Sequence, residues 1–314
     1  MKVFAPGKLV LTGAYAVLGG APAIVMATSR GAYADGSRSN PTPSAEVRAA
    51  LGDVPSPHVD ASSLFLGSRK LGLGASSAIL VASLASLAGR DAKRGVDLSD
   101  EKFRASLFER ARVAHASAQS GGSGVDVAAS VHGGVLEYVP GAWKRRSLPA
   151  GTLVRVFACG TSASTAELRG QVDRFAAVSP ANHRACIDDL EAIANEAADA
   201  VKVGSRERFI VAIRLAARSL FRLGVGAGAP IVPKGFDVLE ELAASSDAAF
   251  CVSGAGGGDV ASYVGSSPPS EAFVERALAL GLFEIDVALD EKGVRVATPP
   301  SAFIAGVAGT VSTT

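Results

Sequence analysis

Between residues 70 and 77 the chain reads Lys70-Leu71-Gly72-Leu73-Gly74-Ala75-Ser76-Ser77, and a helix is expected to start inside this run, from about Ser76 to Ala88. Glycine lets a backbone approach an anion closely, and a following helix directs its free N–H groups and positive dipole end at that anion. Ser76 and Ser77 add hydroxyls for a phosphate or a Mg²⁺ ion, and Lys70 adds a charge beside it. The same residues also suit a plain helix start, with serine as cap and glycine in the turn, so this loop alone leaves both readings open. A second candidate is Ser253-Gly254-Ala255-Gly256-Gly257-Gly258-Asp259, which lies between two apolar runs. A hairpin turn rarely needs more than one or two glycines. Successive N–H groups in such a loop can form an anion nest. Neither standard nucleotide loop is present: Gly7-Lys8 is followed by leucine and lacks the upstream glycine of a Walker A sequence, and Gly72-x-Gly74 meets Ser77 where a Rossmann fingerprint has its third glycine.

Composition narrows the class. Of 314 residues 35 are glycine, 48% are hydrophobic and 19% charged, which excludes a disordered chain. Thirty-one basic residues face 30 acidic ones, for a net charge of +1, so no nucleic-acid partner is expected. A polyanion would have to be handled by a few local charges, chiefly Lys8 and Lys70, with backbone N–H groups and a metal ion. Cys159, Cys186 and Cys251 form no C-x-x-C and read as buried, reduced thiols; the four histidines show no metal spacing. Leu9 to Ser29 carries no charge until Arg30, but glycines and Pro22 interrupt it, so it reads as strands and a turn rather than a membrane span. A soluble cytoplasmic protein is the expectation.

The elements that must position these loops follow from periodicity and breakers. Lys2–Phe4 and Leu9–Thr12 read as a strand broken at Pro6-Gly7; Ala16–Leu18 and Ala23–Ala27 continue as strands. Residues 35–62 read as loop around a short helix near Ala45–Leu51, with a short strand at Leu64–Leu66. Glu101–Ser117 is an amphipathic helix, a second glycine turn lies at Ser120–Gly124, a helix begins near Val125, and Val135–Val139 is a strand. Lys144-Arg145-Arg146 reads as a solvated turn. From the strand Leu153–Cys159 the pattern becomes helical over Ala166–Phe175, Asn182–Val201, Arg206–Leu223 and the end of Val232–Ala244. Ala248–Val252 and Val260–Val264 are strands, Ser270 caps a helix to about Leu280, and Phe283–Leu289 with Val294–Ala297 reads as a hairpin. A boundary near 150 divides the chain into 1–150 and 151–314.

Taken together, the loops resemble the GHMP kinases. Ala5-Pro6-Gly7-Lys8-Leu9-x-Leu11-x-Gly13-x-Tyr15-x-Val17-Leu18, Gly72-Leu73-Gly74-Ala75-Ser76-Ser77-Ala78 and Ser253 to Asp259 are similar to that family's three motifs, in order. Within the family the likeness is strongest to members acting on phosphomevalonate, through Ala114-His115-x-x-Ala118-Gln119, Gly122-Ser123-Gly124-Val125-Asp126-Val127 and Thr161-Ser162-Ala163-Ser164-Thr165. Ala75 departs from the second motif, where a serine is usual; the ungapped register leaves Ser76 as the serine linked to Mg²⁺.

The resemblance implies an α+β, two-domain fold: an N-terminal ATP-binding α/β domain like ribosomal protein S5 domain 2, and a C-terminal ferredoxin-like α+β domain. It implies ATP-dependent phosphorylation of (R)-5-phosphomevalonate to the 5-diphosphate in the mevalonate pathway to isoprenoids, with ATP and Mg²⁺, in a monomer or homodimer without membrane partners. Lys8 and Asp126 are implied as catalytic. Lys70, Gly72, Leu73, Gly74, Ala75, Ser76 and Ser77 would hold ATP, with Ser76 on the metal. Lys8, Tyr15, Gln119, Ser123, Gly124, Asp126, Ser162, Ser164, Thr165, Gly254, Ala255, Gly256 and Gly257 would face the substrate, although Ser162, Ser164 and Thr165 also suit an ordinary helix cap. His115 reads as a structural histidine. The same fold admits a mevalonate kinase, a mevalonate-phosphate decarboxylase or a sugar kinase, and, outside enzymes, a silent ligand-binding homologue. The last has no use for Lys8, Ser76 and Asp126.

Overall fold

In a computed structural model, residues 1–88, 96–119, 121–160 and 164–297 are described. The first half runs β1 (Lys2–Thr12), β2 (Ala23–Asn40), α1 (Ala45–Leu51), β3 (Ser56–Asp60), β4 (Phe65–Leu66), β5 (Arg69–Lys70), α2 (Ala75–Ala88), α3 (Glu101–Ala118), α4 (Val125–His132), β6 (Val135–Val139) and β7 (Ala142–Arg146). The second runs β8 (Leu153–Ala158), α5 (Thr165–Val178), α6 (Pro180–Val203), α7 (Arg206–Ala227), α8 (Phe236–Ala244), β9 (Ala249–Val252), β10 (Val260–Gly265), α9 (Glu271–Ala279), β11 (Phe283–Ile285) and β12 (Arg295–Val296).

Two antiparallel sheets organise the molecule. One has the order β12-β1-β2-β6-β7, with β3 on the far half of β2. The other has the order β11-β8-β10-β9, which in its own strand sequence is 4-1-3-2, the ferredoxin-like βαββαβ arrangement. The α+β expectation and the ferredoxin-like second half are therefore what the structure contains. Helix α2 is apolar nearly all round because it is walled in: it packs on β1 and β2, with α1, α3 and α4 against its other sides. Its N-terminus, with the 70–77 loop, is thereby held at the inner ends of β1 and α4. No helix among the described residues is long and apolar enough to cross a membrane.

Several expected elements differ. β1 is one strand; Pro6-Gly7 makes a register shift against β2 rather than a break. Ala16–Gly19 is a 3-10 turn, not a strand. β2 continues to Asn40, and Ser56–Asp60 is a strand, because the two pair with each other across what had read as loop. Lys144-Arg145-Arg146 lies in β7, a polar edge strand tied down by Arg146 to Glu137 and Arg145 to the His132 carbonyl. The expected C-terminal hairpin is absent: β11 pairs with β8, while β12 returns to β1 in the other sheet. Cys159 and Cys251 are buried free thiols as expected, but Cys186 is only half-buried.

Candidate functional site

Lys8 is the point at which the three glycine-bearing segments meet. Its backbone N–H donates to the Leu73 carbonyl at 2.8 Å, tying β1 to the second loop. Its stem lies over Gly74, where a methyl group would come within 2.8 Å of Lys8 Cγ. Its ammonium reaches the third loop, 3.4 Å from the position a methyl on Gly254 would take. Burial lowers the Lys8 pKa, while the negative charges of Asp126 and Asp259 work against that fall. Asp259 closes the circle, because its side chain packs directly on Gly72. A partly desolvated cation thus stands among two carboxylates and two loops whose glycines leave the backbone bare.

A second set of polar groups lies at the converging N-termini of α2 and α4. Ser76 Oγ is 3.1 Å from His115 Nε2, and the same nitrogen is 3.4 Å from Asp126 Oδ2. The Gln119 amide donates to Ser76 Oγ at 3.2 Å and to Glu46 Oε1 at 3.0 Å. Burial pushes the Glu46 carboxyl up, but hydrogen bonds from Gln119 and Ser44, with the His115 charge, bring it below the ordinary carboxylate range. His115, expected to be structural, is buried yet joins Ser76 to Asp126. Its two partners come from two other helices, α2 and α4, and are invisible in a linear sequence.

The structure gives the remaining expected residues different tasks. Ser77 is fully buried: its hydroxyl donates to the Gly74 carbonyl at 2.8 Å and accepts from Ser130 at 3.3 Å, so it is a core residue rather than a ligand hydroxyl. Leu73 and Ala75 are buried and contribute backbone only. Lys70 is exposed on β5; successive strand residues face opposite sides, and Arg69 is the one turned inward, donating to the Gly160 carbonyl. Arg69 was missed because a two-residue strand leaves no alternation to read. Tyr15 is buried and its hydroxyl donates to the Ala255 carbonyl at 2.9 Å, so it clasps the first segment to the third loop instead of presenting that hydroxyl to a substrate. Val10 N–H to Ser253 Oγ, also 2.9 Å, is a second such clasp. Gly256 packs against Ile231, and the Gly257 N–H is spent on the Ile231 carbonyl at 2.9 Å; of the third loop, Gly254 borders Lys8. Ser123 and Gly124 build the turn into α4, with Gly124 at φ 82° and the Ser123 hydroxyl accepting from Val125 N–H. Ser164 and Thr165 are exposed at the start of α5, and Ser164 makes no side-chain capping bond. Ser162 lies outside the described residues.

The clasp gives a first prediction. Tyr15→Phe leaves the Ala255 carbonyl without its partner and should destabilise the fold by ~1–3 kcal/mol in chemical denaturation. The hydroxyl's hydrogen bond goes to the Ala255 carbonyl, so the loss should be read in stability, and any change in KM should follow from loosening of the third loop.

Among the described residues no group of three or more His, Cys, Asp or Glu side chains is placed to hold a metal ion. Mg²⁺ on a nucleotide needs less, since it keeps waters and phosphate oxygens and takes only one or two protein ligands. Ser76 Oγ and the Asp126 carboxylate, both beside His115, fit that requirement.

Comparisons with known proteins agree with this architecture. No family model matches the chain. It is 30% identical over 217 residues to a phosphomevalonate kinase of Streptomyces sp. (strain CL190), a match that covers 61% of this chain and only 56% of that protein's length. The crystal structure of a Lin0012 protein from Listeria innocua superimposes with a TM-score of 0.79 at 21% identity, covering 95% of this chain and 99% of that one. Streptococcus pneumoniae phosphomevalonate kinase in complex with phosphomevalonate and AMPPNP superimposes with a TM-score of 0.70 at 18% identity, covering 92% and 99%. The chain has the fold of the GHMP kinases, and its sequence is similar to that of a phosphomevalonate kinase.

Proposed function

We propose that the chain is a GHMP-type kinase that transfers the γ-phosphoryl group of ATP to (R)-5-phosphomevalonate. The observation that carries this reading is the seat of Lys8, with its stem on Gly74, its ammonium at Gly254 and its charge supported by Asp126 and Asp259. The sequence likeness to a phosphomevalonate kinase supports the choice of substrate.

Phosphoryl transfer depends on positioning and charge neutralisation more than on covalent chemistry. A phosphate monoester has its second pKa near ~6 and is mostly a dianion at pH 7, so it attacks without a strong base. An acceptor oxygen forms the new P–O bond as the bond to the β-phosphate breaks and ADP leaves. The obstacle is repulsion, ~4 kcal/mol for two unit charges at 4 Å and an effective dielectric of ~20. Lys8 offsets it between donor and acceptor. Asp126 holds Lys8 charged and, through His115, is kept in register with Ser76. Mg²⁺, when bound with the nucleotide at Ser76 and Asp126, supplies further neutralisation of the phosphates. The N-terminus of α2 takes the ATP phosphates, and a cavity of about 350 Å³ along the same helix, lined by Ile79, Ser83, Phe65, Val47 and Val59, suits the base. Ser83 Oγ is buried there with no hydrogen-bond partner among the described residues.

A coupled ADP-release assay with ATP, Mg²⁺ and either mevalonate or 5-phosphomevalonate tests the reading. Turnover of 5-phosphomevalonate is the expected result; activity with mevalonate alone would replace it with the mevalonate kinase reading, which the nearness of Asp126 to Lys8 would also serve. The lowered Lys8 pKa adds a pH dependence. Activity needs the protonated amine, so it should fall as pH rises, with an alkaline limb below the ~10.4 of a free lysine. A rate profile that stays flat to pH 10 would contradict Lys8 as the neutralising charge.

A further inference from the structure

We infer that Arg169 recognises the phosphate already carried by the acceptor and so selects a phosphorylated substrate over its unphosphorylated analogue. This rests on the kinase reading above and adds a residue that neither the sequence motifs nor the comparisons assign.

Arg169 lies in the second turn of α5 and is half-buried. Its guanidinium packs over the turn that leads into α4 and Asp126: a methyl group on Gly121 would be 3.4 Å from one terminal nitrogen and 3.9 Å from the other. Its charge also bears on the buried Tyr15 hydroxyl, whose pKa burial raises and Arg169 lowers. The guanidinium therefore lies against the 121–124 turn, with the Tyr15–Ala255 clasp within reach of its charge. Both border the space around Lys8, because Gly254 adjoins Ala255 and Asp126 acts on the Lys8 ammonium.

Three other arginines are already engaged. Arg69 donates to Gly160, Arg112 pairs with Glu109, and Arg155 pairs with Glu284. No ion pair or hydrogen bond of the Arg169 guanidinium is found among the described residues, although Asp173 follows one helical turn later and Glu167 lies two residues before it. A planar fork of donors with no carboxylate on it matches two oxygens of a phosphate monoester. Lys8 and Arg169 then divide the work: Lys8 stands where donor and acceptor phosphates approach, and Arg169 grips the acceptor phosphate from the α5 side. An acceptor ending in a hydroxyl gives Arg169 nothing to bind.

The test is steady-state kinetics of the full chain and its Arg169→Met and Arg169→Lys variants, with ATP, 5-phosphomevalonate and mevalonate. Loss of charge-assisted hydrogen bonds should raise KM for 5-phosphomevalonate about 10–10²-fold in Arg169→Met. KM for ATP should stay within about twofold, and Arg169→Lys should recover part of the loss. If Arg169→Met does not fold, Arg169→Gln carries the same expectation. An unchanged KM for 5-phosphomevalonate, or an equal rise for ATP, would overturn the inference while leaving the kinase reading intact. Failure of the parent chain to turn over 5-phosphomevalonate would remove both.

Discussion

Lys8→Met should lower kcat with 5-phosphomevalonate by about 10³-fold, the scale on which losing a preorganised electrostatic contact to a transition state is felt. The loss should fall on kcat more than on KM, because repulsion between donor and acceptor phosphates peaks as they close. An apolar chain of similar length fills the same space over Gly74, but it leaves the Asp126 and Asp259 carboxylates without their cation, so a loss of stability is also expected and a denaturant titration separates it from the fall in kcat. Asp126→Asn is the informative companion. With an anionic phosphate as nucleophile, Asp126 moves no proton: it supports Lys8 and the Ser76–His115 pair, and asparagine keeps a side-chain oxygen for Mg²⁺, so the loss in Asp126→Asn should be about tenfold. With a hydroxyl as acceptor it would be a general base, and its removal would cost ~10²–10⁴-fold. Kinetics of the two purified variants therefore rank the acceptors. A larger loss in Asp126→Asn than in Lys8→Met would count against the phosphate acceptor.

What could be read from the sequence was local. Helix starts were legible where a cap marks them: Ser270 accepts from Phe273 N–H, and α1 spans the expected Ala45–Leu51. The glycine loops were legible because few other residues suit their backbone, with Gly72, Gly74, Gly254, Gly256, Gly257 and Gly258 all at positive φ. Partners distant in sequence were not legible. The second half of β2 is polar and holds glycines, and is a strand only because β3 pairs with it. β12 leaves its neighbours to join β1, nearly the whole chain away. The same limit applies to the site. The family resemblance pointed to Lys8, Ser76 and Asp126, but the roles of the residues around them depend on direction. His115 turns towards Ser76 and Asp126; Ser77, next to Ser76 on α2, turns into the core because a helix advances about 100° per residue. Tyr15 looked like a substrate contact by position, and its hydroxyl is used to hold the third loop.

That dependence on close approach leads to the second large effect. Gly74→Ala should reduce kcat/KM by at least about 10²-fold. At φ 77° a side chain is strained, and the new methyl would lie 2.8 Å from Lys8 Cγ and 3.2 Å from Ser77 Oγ. Cγ is close to the lysine backbone and cannot swing aside as a chain end would, so the ammonium must shift, and a displacement of about 1 Å in a reacting group can cost ~10²-fold. Gly67→Ala separates this from strain alone. Gly67 also has positive φ, 59°, in the turn between β4 and β5, but a methyl there meets nothing within 4 Å. Both variants should lose ~1–2 kcal/mol from the left-handed conformation in denaturant titrations. Gly67→Ala should keep parental kinetics, and Gly74→Ala should not. Equal kinetics in the two variants would mean that the second loop does not position Lys8. Recovery of Gly74→Ala by raising ATP alone would assign the glycine to nucleotide binding rather than to the seat of the lysine.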